Sequence, residues 1–384
     1  MPSVNNRAAL LVAATLLATS ACGGNGTVPS NALNAANPAL QGAGVGATGI
    51  SPDDTTSILK LLKKQVVIGS TVDPKNGDTG PRGISMVPTN YVLKKGQLLV
   101  CNFNDSSGKA GNGTTIEVLN PKVGSSPTTF VQSTKIQGCD GDAVTTGNQV
   151  YATGMTSKSL VWITQSGKVK KSYAGLQQPF ADTDAPPPFL YDPEYIFIGD
   201  SSTGSIYSLS LGLYGTGKLL EVVSGFATKS NGPAGTLGPS GLQVYTSKQQ
   251  QTLYVVDGAN NTIVAISNAG NLLEKDEIVV QPGGKTFKCK HPQATCASLV
   301  MSGSPLNAPI ASALLPNGNL VVANTKGGNT LVELTPKGQV LATKTVDSNK
   351  TAGVFGLLAI GKNDSDTALF FTDANANNLQ ELQQ

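Results

Sequence analysis

Six times along this chain, three apolar residues and a small one run into Asn, Asp or Gly. The copies are Leu98-Leu-Val-Cys-Asn102, Val150-Tyr-Ala-Thr-Gly154, Ile196-Phe-Ile-Gly-Asp200, Leu253-Tyr-Val-Val-Asp257, Leu320-Val-Val-Ala-Asn324 and Leu369-Phe-Phe-Thr-Asp373. A short Gly/Asn/Ser loop follows each, then a second strand: Thr115–Leu119, Ser159–Ile163, Ser205–Leu209, Thr262–Ile266, Thr330–Leu334 and Leu379–Leu382. A third strand candidate precedes the core, as in Gly83–Val87, Gly241–Tyr245 and Ile310–Leu315. A polar one trails it, as in Gln339–Val346. Four strands per unit, recurring at 46 to 67 residues, predict an all-β, six-bladed β-propeller of four-stranded blades. The last unit lacks its fourth strand, while Lys64–Asp73 is strand-like and belongs to no unit. The expectation is that this N-terminal strand completes the last blade and closes the ring, removing its open edges.

The segment ahead of the repeats reads as an address. Residues 8–18 form a short apolar core behind Arg7, too short for a permanent membrane span but suited to a secretory signal over residues 1–21. It ends in Thr19-Ser20-Ala21-Cys22-Gly23, which resembles a bacterial lipobox, so Cys22 is the expected lipidation site. From Gly23 to Pro52 no residue is charged, and such a run cannot bury enough surface to offset its ordering entropy. Residues 22–54 are therefore expected to be lipidated Cys and flexible linker, with the propeller over 55–384. The expected location is the cell envelope, outer-membrane or periplasmic side, with the lipid tying a monomer to the membrane. The chain carries 27 basic and 24 acidic residues, which leaves no basic footprint for nucleic acid.

With Cys22 assigned to lipid, Cys101, Cys139, Cys289 and Cys296 remain, an even set in an oxidising compartment. Four cysteines allow three pairings. The favoured one joins Cys101 to Cys139 across successive repeats and Cys289 to Cys296 around a small loop. A zinc site competes poorly because His291 is the sole histidine.

The pattern of Leu253 to Ile266 and Pro316 to Leu334 resembles NHL-type repeats, and a graded likeness extends over roughly 64–384. The resemblance implies a propeller and leaves the function open, since one scaffold serves adhesion, ligand binding and catalysis. Candidate ligand or metal groups are the rim residues Asn102, Asp200, Asp257, Asn324 and Asp373. Their oxygens suit Ca2+, although Asx side chains also recur simply to hold turns. Insertions at Asn104–Asn112, Pro179–Pro188, Thr228–Pro239 and Pro282–Ser304 are expected to lengthen loops. Phe189, Tyr191, Tyr195 and Tyr214 are candidates for an aromatic patch. No nucleophile elbow occurs, and no Glu lies on an inner strand, where calcium-dependent lactonase propellers place one. The expected function is a binding module for a protein, glycan or small ligand, with no catalytic residue and no cofactor. The alternative is a calcium-dependent, lactonase-like hydrolase, which a converging set of channel carboxylates would favour.

Overall fold

The computed structural model describes residues 55–189, 192–212, 217–232, 235–247 and 250–384. The expected signal peptide, Cys22, the linker, Tyr191 and Tyr214 lie outside the described residues.

The chain opens with α1 (Ile58–Leu61) and β1 (Lys64–Ser70). Blade one is β2 (Thr79–Met86), β3 (Leu98–Asn104), β4 (Thr115–Leu119) and β5 (Thr128–Gln132). Blade two is β6 (Cys139–Val144), β7 (Val150–Gly154), β8 (Ser159–Ile163) and β9 (Val169–Ala174). Blade three is β10 (Pro179–Ala185), β11 (Glu194–Asp200), β12 (Ser205–Leu211) and β13 (Leu219–Ser224). A short ribbon of β14 (Lys229–Ser230) and β15 (Thr236–Leu237) leads to blade four: β16 (Pro239–Ser247), β17 (Gln250–Asp257) and β18 (Thr262–Ser267). The chain then detours through β19 (Ile278–Val280) and β20 (Phe287–Cys289) before supplying β21 (Ala297–Ser302) as that blade's outer strand. Blade five is β22 (Pro309–Leu314), β23 (Leu320–Asn324), β24 (Thr330–Leu334) and β25 (Val340–Thr345). Blade six is β26 (Val354–Ile360), β27 (Ala368–Asp373) and β28 (Asn378–Gln383), with β1 paired antiparallel to β28 as its outer strand. The ring closes through the N-terminal strand, as the repeat arithmetic requires.

Both faces of every blade are covered by a neighbour, which explains why the second strands read as continuous apolar runs rather than alternating ones. The buried side chains fall into clusters that sit at the blade interfaces, one for each neighbouring pair around the ring. α1 plugs into the interface of blades five and six. Its N-terminus is held by Glu333 on β24, which accepts from Ser57 Oγ, Ile58 N and Leu59 N at 2.5, 3.1 and 2.9 Å. A buried carboxylate at the otherwise unpaired N–H groups of a helix start is well compensated.

The insertion around Pro282–Ser304 is not simply a longer loop. β19 runs parallel to β13, and β20 pairs with β19, so blade three grows to a six-stranded sheet. Cys289–Cys296 closes the turn after β20, and Cys101–Cys139 ties β3 of blade one to β6 of blade two. The second bond spans 38 residues against seven for the first, so it removes more freedom from the unfolded chain. Replacing Cys101 and Cys139 with serine is expected to lower stability by about 2–4 kcal/mol in urea unfolding. The equivalent Cys289/Cys296 pair should lose less.

The innermost strands approach each other around the central axis, and each shifts register near its start. Small residues sit at the shift: Gly83, Gly141, Ala181, Gly241, Ala311 and Gly356. A Cβ on Gly356 would lie 2.0 Å from the Arg82 carbonyl, and one on Gly83 would lie 2.8 Å from Gly141 Cα. The neck of the channel therefore admits no side chain at these two places.

Candidate active site in the central channel

Two inner strands carry acids at alternate positions, Asp140 and Asp142 on β6 and Asp182 and Asp184 on β10. Alternation turns both members of each pair toward the preceding blade. Asp142 leans over Gly83, whose added Cβ would stand 2.7 Å from Asp142 Oδ1. Asp182 leans over Gly141 in the same way, at 2.6 Å. The glycines thus make room for carboxyls in the neighbouring blade.

These acids differ in what they touch. Asp140 accepts two hydrogen bonds from Arg82 Nη1, at 3.1 and 2.9 Å, and both side chains are buried. The guanidinium also lies against the rings of Phe103, Phe355 and Phe180, at 3.4, 4.4 and 5.5 Å from their centroids. Burial raises the Asp140 carboxyl, and the Arg82 charge opposes the rise. Asp142 Oδ2 accepts from the Ser85 hydroxyl, whereas its Oδ1 has no donor. Both oxygens of Asp182, and Oδ1 of Asp184, also lack one. Burial pushes Asp142 up to about 7, against the Ser85 hydrogen bond that lowers it. Asp182 is raised well above the usual carboxylate range by burial first and by the nearby Asp142 charge second. Asp184 is raised by burial and by Glu194.

Asp142, Asp182 and Asp184 border a cavity of about 290 Å3 at the end of the channel where first and second strands join. Ile84, Met86, Leu242, Leu314 and Leu357 make it largely apolar, while Ser85, Gln243 and Tyr245 add polar groups. Among the described residues no Lys or Arg lines it. Deeper in, Asp142 and Asp182 also bound a void of about 60 Å3 beside the small-residue neck. That volume admits water, and the oxygens without donors are the partners a buried water needs. At the other end of the axis, Arg82, Asn104, Lys326 and Asn375 line a separate cavity of about 410 Å3.

The rim residues expected from the sequence stand at the ends of the second strands. Asp200 accepts from the backbone of Gln177, Gln178, Ser202 and Thr203. Asp257 serves Ala259 N and Asn260 N, and Asp373 serves Asn375 N and Ala376 N. Asn324 takes Asn307 N and donates to Pro305 O. Asn102 alone of the five keeps a buried oxygen with no donor. Tyr195 is buried and stacks on Phe197 at 5.9 Å, while Phe189 is half exposed at a surface hollow with Asp192 and Leu273. His291 faces Glu274 and Glu277 at 3.4 and 3.9 Å on the hairpin added to blade three.

The sequence pattern alone does not single out the channel acids, and it sets Pro179–Pro188 among the insertions, although Pro179–Ala185 is the inner strand β10. The available signal is the acid–small–acid spelling directly ahead of two repeat cores, Cys139-Asp-Gly-Asp142 and Ala181-Asp-Thr-Asp184.

No family sequence model and no curated protein matches the chain. Among solved structures, a gluconolactonase from Xanthomonas campestris is similar with a TM-score of 0.54 and 13% identity, over 91% of this chain and 99% of that one. A structural-genomics protein named provisionally as a gluconolactonase is similar at 0.52 and 12%, over 83% and 91%. A protein of unknown function from Bacteroides thetaiotaomicron is similar at 0.50 and 12%, over 83% and 74%. At such identities the likeness establishes the propeller fold.

Proposed function

We propose that this propeller is a hydrolase of small, neutral cyclic esters, working in the cavity that Asp142 and Asp182 border. The observation that carries the reading is a pair of neighbouring inner-strand carboxyls, three of whose four oxygens have no donor, at the floor of a cavity large enough for a small ligand. Two carboxyls of different basicity are what acid–base hydrolysis requires. Asp142, held through Oδ2 by Ser85, removes a proton from a water with its free Oδ1. The water oxygen attacks the ester carbonyl carbon. Asp182, whose carboxyl burial holds well above the usual range, gives its proton to the ring oxygen as the carbon–oxygen bond breaks. The products are the hydroxy acid and, after proton exchange with solvent, the starting pair.

The similarity to a gluconolactonase supports the substrate class. The residues do not suit the calcium that lactonase propellers of this shape hold at the channel centre. Asp140 is committed to Arg82, whose positive charge sits in the same channel and opposes a cation there. Because Asp142, Asp182 and Asp184 border the cavity and no Lys or Arg among the described residues lines it, neutral lactones should be preferred to anionic ones by at least about tenfold in kcat/KM. The assay is release of acid from a panel of neutral and carboxylate-bearing lactones. Turnover of none, with tight binding of one, would return the protein to the ligand-binding reading. We place this activity at the cell envelope, on a tether anchored at Cys22.

A further inference from the structure

We infer that blade one holds a hard divalent cation of the calcium type, bound between Thr71, Asp73, Asn102 and Glu117. These residues meet where the outer strand of blade six turns into blade one. Asn102, Thr115 and Glu117 share the face of blade one that looks toward blade six, since Val100 lies across from Glu117, and Asn102 and Thr115 are each two residues from that pair. Thr71 and Asp73 follow β1 directly. Asn102 Nδ2 donates to Thr71 O and Thr115 Oγ1, at 2.8 and 3.3 Å, and so turns its Oδ1 the other way. The Glu117 carboxyl lies against Thr115 and Asp73.

Asp73 accepts from Lys75 N, Asn76 N and Thr129 Oγ1, but the acceptors around it are short of donors. Glu117, Asn102 and Thr71 are fully buried, and Glu117 Oε1 and Oε2, Asn102 Oδ1 and Thr71 Oγ1 all lack a hydrogen-bond partner. A buried carboxylate without a donor is strongly unfavourable. The same molecule shows the ordinary remedy twice. Glu333, equally buried, takes three donors at the start of α1. In blade six Gln380, at the position of Glu117, donates to Asp373 at 2.7 Å. In blade one Glu117 meets only the Thr115 hydroxyl and the Asp73 carboxyl. Two carboxylates, an amide oxygen and a hydroxyl match calcium in type and in charge. Without the ion, burial and Asp73 push Glu117 up to about 9, so the alternative occupant is a proton shared by the two acids.

The test is calorimetric titration of chelator-treated protein with Ca2+, paired with thermal unfolding. We expect one Ca2+ per chain and a midpoint raised by about 2–5 °C at a hundredfold excess over Kd. Glu117→Gln should abolish both effects, and Thr71→Val, a milder change, should weaken binding by tenfold or more. Asp182→Asn, in the channel, should leave them intact. Absence of a calcium effect in the wild type, with Glu117→Gln equally stable, would mean the pair shares a proton and would overturn the proposal. A calcium effect that survives Glu117→Gln would place the ion elsewhere and overturn it equally.

Discussion

Arg82→Met is expected to destabilise the propeller by about 3–5 kcal/mol in urea unfolding, because it strands Asp140 in the core. The pair is a poor source of net stability, since both charges were taken out of water to form it. Its removal by halves is what costs. Met fills the space among Phe103, Phe180 and Phe355 but offers neither charge nor hydrogen bonds. With Arg82 in place burial already holds the Asp140 carboxyl up at about 7, and without the guanidinium to oppose it the folded-state value rises further. A carboxyl raised in this way favours folding at low pH and loses that contribution as pH climbs through the folded value. The deficit of Arg82→Met should therefore shrink on acidification. Adding Asp140→Leu should recover most of the loss, giving a strongly non-additive double-mutant cycle. A single-variant deficit under about 1 kcal/mol would mean that Asp140 reaches another donor or water. Arg82→Lys should not substitute fully, because the flat guanidinium is what three rings can pack against.

That an ion pair stands on the axis was not legible from the sequence, although the fold around it was. The second and third strands announced themselves because each is clamped between two blades and must be apolar, and because Asx residues close the turns between them. The inner strands obey a different requirement. They crowd one axis, so they select Gly, Ala and Ser where ordinary strands carry β-branched residues, and polar groups there face a channel. Cys139-Asp-Gly-Asp142 satisfies that requirement and lacks every usual mark of a buried strand. Glu117 escaped notice for the opposite reason. In Thr115-Ile-Glu-Val-Leu119 it looks like the outward residue of an alternating strand, but in a blade both faces are inward. Closure by residues 64–70 was legible because it needed only strand counting. The six-stranded extension of blade three was not, since β19 and β20 are three residues each, below the length at which alternation can be read.

In the reaction drawn for the channel, Asp142 must be ionised to accept a proton, and its carboxyl is raised to about 7. The expected kcat/KM for a neutral lactone therefore climbs about tenfold per pH unit below 7 and levels above it. It falls again only where Asp182 ionises, and burial beside Asp142 holds that carboxyl well above the usual range. Asp142→Asn keeps the shape and removes the base, so kcat/KM should drop by about 10²- to 10⁴-fold and the acid limb should vanish. Stability supplies an independent readout with the opposite sign. A buried carboxyl whose folded pKa is raised stabilises the protein below its unfolded value of 3.8, and that contribution is lost as pH rises through about 7. At pH 8 the wild type carries an ionised Asp142 with one oxygen lacking a donor, whereas the amide of Asp142→Asn carries no charge. The variant should unfold at a higher temperature than the wild type at pH 8, and the two should converge near pH 4. Lost activity with gained stability is the mark of a group kept for chemistry. Lost activity with lost stability at every pH would instead make Asp142 a packing residue, and the base would have to be sought elsewhere in the channel.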